Sequence, residues 1–207
     1  MENLKQYAPA TQRNREHILE VLLRVLPPSG NILEVASGTG EHSIFFAPKF
    51  SPRQWIPSDP NAISRDSIEA WRKESLIENI HPPLNINAQD SIWEIEKEFL
   101  DITTIININM IHISPWSACL GLMKGAKRLL PSGGILYLYG PYKQEGKHTA
   151  LSNEAFDESL RDQNPEWGVR NLEDVIKVAE DNGLVFKEKV AMPANNLSVI
   201  FEKKIIE

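Results

Sequence analysis

Glu34, Gly38 and Gly40 stand close together in the stretch NILEVASGTGEHS, Asn31–Ser43. An apolar run followed by Gly-x-Gly makes a loop that can cradle a phosphate, a dinucleotide or another nucleoside cofactor. Glycine lets the backbone turn tightly there and come close to a ligand. The plain alternative is a tight turn. Two further acids, Asp59 and Asp90, end short β-rich runs. Both also precede helical patterns and could act as caps. His112 follows another such run, in NMIHIS. A neutral imidazole there could take a proton from an attacking hydroxyl, amine or thiol. Its alternative is a wall residue that only shapes a pocket.

Two cofactor classes compete for the loop. A dinucleotide fingerprint would read Gly38-Thr39-Gly40-Glu41-His42-Ser43. It ends in serine where glycine or alanine is required, and Glu41 sets a negative charge against a pyrophosphate. S-adenosylmethionine (SAM) instead carries a sulfonium and an ammonium, so the acid Glu34 before the glycines is favourable. Asp59 suits the ribose of either cofactor.

The elements that must position these residues alternate. Ile18, Leu19, Leu22, Leu23 and Leu26 recur at helical spacing, and PPSG stops that helix. NILEVA, RQWIPSD, LNINAQD, ITTIININ and GILYLYG read as strands with helices between them. LVFKEKVAM and LSVIFEKK close the chain as a strand pair around the turn PANN. That order implies an α/β fold with a mostly parallel sheet, helices on both faces and an antiparallel terminal strand. The chain of 207 residues suits one domain over 1–207. Residues 1–30 would form an N-terminal cap helix. The stretch 140–171 is long for a connection and reads as an insertion or lid.

Composition excludes several classes. The net charge of −6 argues against a duplex nucleic-acid binder. No apolar run approaches the ~20 residues of a membrane span. Arg13, Arg15, Glu16 and Glu20 interrupt the apolar core a secretory leader needs. The single Cys119 permits no internal disulfide and no CxxC metal site, and no metal is expected. These readings point to a cytoplasmic protein, a monomer or homodimer, with no nucleic-acid or membrane partner.

With those strand ends in place, the chain resembles the class I SAM-dependent methyltransferases. Their first motif is an acid, any residue, then Gly-x-Gly-x-Gly. Here it runs Glu34-Val35-Ala36-Ser37-Gly38-Thr39-Gly40, with Ala36 for the first glycine. The resemblance implies a seven-stranded sheet and SAM as the cofactor. It implies that Asp59, with Pro60 beside it, meets the ribose. Asp90, with Gln89 and Ser91, would meet the adenine amino group, and Asn109 and Met110 would flank the cofactor. The segments YAPATQRNREHILEVL, SDPNA, NMIHISPWSA and GPYKQEGKHT, with SNEAFDESLRDQNPEWGVRNLEDV, further resemble a small uncharacterised methyltransferase-like family with bacterial and animal members.

The resemblance implies methyl transfer to an oxygen, nitrogen or sulfur centre of a small-molecule acceptor, with S-adenosylhomocysteine as the product. His112 or Tyr142 would be the base. Arg13 would pair with the carboxylate of the methionine part, and Tyr7 and Asn14 would open the cap. Lys143, Arg161, Trp167 and Arg170 could reach the acceptor. For the arginines, pairing with Asp157, Glu158 or Asp162 is the weightier alternative, and Trp116 and Trp167 are more often packing. Asn109-Met110-Ile111-His112 is not the Asn/Asp-Pro-Pro-aromatic signature of adenine or amide methylators. The alternatives are a non-catalytic SAM-binding regulatory protein, or a protein methyltransferase.

Overall fold

The computed structural model describes residues 4–97 and 101–204. The first and last three residues of the expected domain 1–207 lie outside the described residues, and with them the start of the cap segment. Helix α1, Pro9–Val25, has a proline in its first turn, where no intrahelical N–H is needed. Strand β1, Asn31–Val35, leads through the glycine loop into the short helix α2, Glu41–Phe46. There follow β2, Trp55–Ser58, α3, Ala62–Ser75, β3, Ile102–Ile108, and α4, Trp116–Leu129. Next come β4, Ile135–Pro141, and a small hairpin of β5, Lys143–Gln144, and β6, Lys147–His148. Helices α5, Leu151–Gln163, and α6, Leu172–Asp181, precede the closing pair β7, Leu184–Met192, and β8, Asn196–Lys203.

The main sheet has the order β2-β1-β3-β4-β8-β7. Its first four strands are parallel, and β8 runs antiparallel to both β4 and β7. The chain leaves β1 toward β2 on one side, and β3 returns on the other. Such a reversal opens a crevice at the carboxyl ends of the strands, the usual place for a ligand in an open α/β sheet. Alternating strand residues fill both faces. Ile32 packs with Ile18, Leu22, Phe46 and Trp55 beneath α1 and α2. Leu33 and Val35 pack the other way, with Leu122 and Met123 of α4. Ile18 and Leu22 are fully buried, and burial of such a side chain is worth about 1.5–3 kcal/mol.

Among the described residues the main sheet has six strands, not seven. The expected strand LNINAQD lies beside β2 but makes only one isolated parallel bridge, Ser58↔Leu84, and another, Trp55↔Ile80, precedes it. The reason is proline. Trp55 N–H donates to Asn79 and His81 N–H to Trp55, but Pro57 has no N–H to continue the ladder. Pro82 and Pro83 lack donors as well, and one residue is inserted before Leu84 N–H reaches the Pro57 carbonyl. No helix among the described residues is long and apolar enough to cross a membrane.

Candidate functional site

The glycine loop is built from left-handed residues. Ala36 has φ 59°, Gly38 56° and Gly40 89°. For an L residue that conformation costs about 1–2 kcal/mol. Ala36 therefore carries strain where the motif has glycine. Ala36→Gly should raise the stability by about 1 kcal/mol, read as a higher denaturant midpoint at unchanged slope. A lower midpoint would show that the alanine methyl contributes packing that outweighs the strain.

Glu34, the last residue but one of β1, is almost wholly buried. Its carboxylate accepts hydrogen bonds from the Ser43 hydroxyl (2.5 Å) and the Trp55 indole N–H (2.8 Å). Burial pushes its carboxyl up to about 7, although both bonds pull the other way. Near neutral pH it is poised to ionise beside a cation. Ser43, which spoils the dinucleotide fingerprint, is thus Glu34's partner. Asp59, at the end of β2, accepts from the Gly38 N–H (3.0 Å) and the Asn61 N–H (2.9 Å). It ties the loop to the next strand. Burial raises its carboxyl, and the two N–H groups restrain that rise. Asn61, not Asp59, caps α3, accepting from the Ile63 N–H.

Three cavities lie over these strand ends. The first, about 340 Å³, is walled by Glu34, Ser37, Gly38, Thr11, Asn14 and Asn109 among others. The second, about 330 Å³, includes Asp59, Pro60, Ile86, Asn87 and Gln89. Ala36, Met110 and Ile113 line both, so the two share a wall. Ile113 is 40% exposed, an apolar side chain that a ligand spanning the two would cover. The third, about 250 Å³, meets the first at Ala10, Asn14 and Asn109 and is otherwise lined by Tyr139, Asn153, Phe156 and Asn196 among others. Asn109, after β3, has φ 64°. Asparagine tolerates this conformation better than most residues, and such strain gathers at functional sites.

The N-terminal segment is fastened over the loop. Glu41 accepts from the Ala8 N–H and the Thr39 hydroxyl. Ser67 accepts from the Gln6 N–H and donates to the Thr39 carbonyl. Asn14 reaches the cavity, its Oδ1 2.8 Å from His42 Nε2. Burial drives the His42 imidazole down to about 3, so it is neutral there.

Several expected site residues stand elsewhere. Arg13 is exposed and is not in the cavity wall. Tyr7 packs edge-on against Trp71, ring centres 5.2 Å apart, away from the three cavities. Asp90 and Ser91 are exposed outside the second cavity, whose polar residues there are Asn87 and Gln89.

His112 is fully buried and lines none of the three cavities. After the turn at Asn109 the ring packs under β4, where a Cβ on Gly140 would lie 2.6 Å from Nε2. Its Nδ1 accepts from the Arg170 N–H (3.3 Å), and its carbonyl from the Gly168 N–H (2.9 Å). Burial takes its imidazole down to about 3. A neutral, enclosed ring of this kind cannot meet an acceptor. It ties down the 168–170 segment. Tyr142 is fully buried too, edge-on to His112 at 4.9 Å, and burial raises its phenol. It does not reach an acceptor either.

The expected acceptor contacts are occupied among themselves. Asp157 takes the Lys143 ammonium at 2.8 Å, Arg161 at 3.2 Å and the Val169 N–H at 2.7 Å. Arg170 donates to the carbonyls of Ile111, Ser114 and Glu166, and lies over the Trp116 ring. Trp167 is half-buried and outside the three cavities. Of the third cavity's residues, sequence reasoning named Asn14 and Asn109 and missed Tyr139, Asn153, Phe156 and Asn196. Neutral side chains from four distant segments leave no spacing to detect. It also missed Thr11 and Asn87, though Asn87 falls within the strand end it had marked.

The fold is that of the Rossmann-like methyltransferases. An O-methyltransferase family protein from Burkholderia thailandensis superposes with TM-score 0.77 at 13% identity, covering 96% of this chain and 57% of that one. An O-methyltransferase family 2 protein from Planctomyces limnophilus, solved with apigenin, gives 0.77 at 16%, covering 94% and 57%. A putative sarcosine dimethylglycine methyltransferase from Galdieria sulphuraria gives 0.68 at 14%, covering 98% and 93%. The chain spans just over half the length of the first two. It belongs to the family described as "Protein of unknown function (DUF938)", whose model matches residues 5–203.

Proposed function

We propose that the protein binds SAM across the first two cavities and transfers its methyl group to an oxygen, nitrogen or sulfur centre of a small molecule. One observation carries this reading: a buried carboxylate poised near neutrality, Glu34, faces a cavity joined to a second that holds Asp59. The pair fits a ligand with a cationic end and a ribose. The second cavity's apolar walls, Pro60 and Ile86, and its amides, Asn87 and Gln89, suit an adenine ring. When bound, SAM supplies an activated methyl group whose C–S bond breaks with the electron pair left on sulfur. The chain's own residues would chiefly align the acceptor, which can supply about 7–11 kcal/mol of a barrier.

Calorimetric titration with SAM, S-adenosylhomocysteine and NADH tests the cofactor. The first two should bind and NADH should not. No binding by either sulfur compound would end the reading. A non-catalytic SAM-binding role is favoured by one fact: His112 and Tyr142 are enclosed and neutral. Binding without transfer of labelled methyl to any member of a broad metabolite panel would select it.

A further inference from the structure

We infer that the third cavity is the acceptor site, and that it takes a small uncharged molecule which presents a hydroxyl, thiol or N–H to the Tyr139 oxygen. The inference rests on the SAM reading and adds the acceptor's class. The cavity adjoins the first through Asn14 and Asn109, so an acceptor there would meet the same wall as the cofactor.

Its lining contains no Asp, Glu, Lys, Arg or His. Two cations of the neighbouring hairpin and α5, Lys143 and Arg161, are paired with Asp157. An ionised acceptor would lose its hydration without gaining a counter-charge, which is strongly unfavourable. Neutral amides and a phenol suit a neutral polar ligand instead, and Phe156 and Pro141 give it apolar contact.

Tyr139 supplies the orientation. It lines the cavity together with Asn14 and Asn196. The Asn14 oxygen is held by His42 Nε2 at 2.8 Å, and the Asn196 amide nitrogen donates to the carbonyls of Pro193 and Ala194. A neutral phenol oxygen in that lining can accept from a donor on the ligand. In the transfer a C–O, C–N or C–S bond forms at the acceptor as the methyl leaves sulfur, and the acceptor's proton passes to solvent.

Binding of ring probes tests this without turnover. Protein saturated with S-adenosylhomocysteine is titrated with phenol, anisole, benzoate and benzylammonium, followed by ligand-observed NMR. Failure of S-adenosylhomocysteine to bind is read separately and counts against the SAM reading itself. With it bound, phenol should bind best, anisole at least tenfold more weakly, and neither ion measurably. Tyr139→Phe should reduce phenol to the level of anisole with S-adenosylhomocysteine affinity unchanged. Ser152→Lys, at the exposed side of the cavity, should gain benzoate. Equal binding of benzoate or benzylammonium to the wild type, no binding of any probe, or an unaltered phenol affinity in Tyr139→Phe would each overturn the assignment.

Discussion

Glu34→Gln should weaken SAM binding by roughly tenfold or more while leaving the fold at least as stable at pH 7.5. The amide oxygen can still accept from Ser43 and Trp55, so packing is kept. What goes is the negative charge. The pH dependence separates this from a merely structural role. In the free protein the Glu34 carboxyl sits up at about 7, against an ordinary 4.5. A cationic ligand binds the ionised form better. Wild-type affinity should therefore rise from pH 5.5 to 7.5, by roughly tenfold over that window, and the variant's should stay flat. Stability runs the other way. A carboxyl raised on folding contributes most below pH 4.5, and that contribution is lost as pH rises through 7. The wild type should lose stability over that range and Glu34→Gln should lose less. A variant that keeps wild-type affinity and its pH profile would remove Glu34 from the site.

The two glycines of the loop should fail differently. A Cβ on Gly38 meets nothing within 4 Å and would project into open space at the wall of the first cavity. Its left-handed φ costs about 1 kcal/mol, so Gly38→Ala should fold and lose most SAM affinity. A Cβ on Gly40 would lie 2.9 Å from the Ile68 side chain and 3.0 Å from its backbone. With φ at 89° as well, Gly40→Ala should cost about 1–3 kcal/mol of stability. Chemical denaturation and SAM titration on both variants read the contrast. Equal loss of stability in the two would mean that Gly38 serves the turn and not a ligand.

How much of this was legible depends on whether a feature is local. The strands β1, β3 and β4 are short apolar runs between helical patterns, and they stand where their sequences place them. So does the closing pair, with its turn at Pro193–Asn195. Glu34, Gly38 and Asp59 are legible because a loop motif and the next strand end lie close in sequence. The missing seventh strand is not, because Pro57 acts on a partner more than twenty residues away. His112 and Tyr142 mislead because both follow strands on the cavity side. The turn at Asn109 and the bare Cα of Gly140 then draw them inward, and no local pattern announces that. Lys143 misleads because its partner, Asp157, lies fourteen residues away, whereas Arg161 pairs with Asp157 one helical turn before it, the weightier of the two readings its spacing allowed. Asn14, Tyr139, Asn153 and Asn196 come together only in the folded chain.

The proline-broken ladder beside β2 has one more consequence. An outer strand with free N–H and C=O groups is a template on which a second chain can polymerise. Here Pro82 and Pro83 offer no hydrogens, and the Asn85 N–H beyond them is already held by the Glu94 carboxylate at 2.7 Å. At the opposite border, β7 presents the run Lys187-Glu188-Lys189, with Glu188 bound to Arg24 and Lys187 to Glu202. Both borders of an otherwise apolar, β-branched sheet are thereby poor seeds for fibril growth.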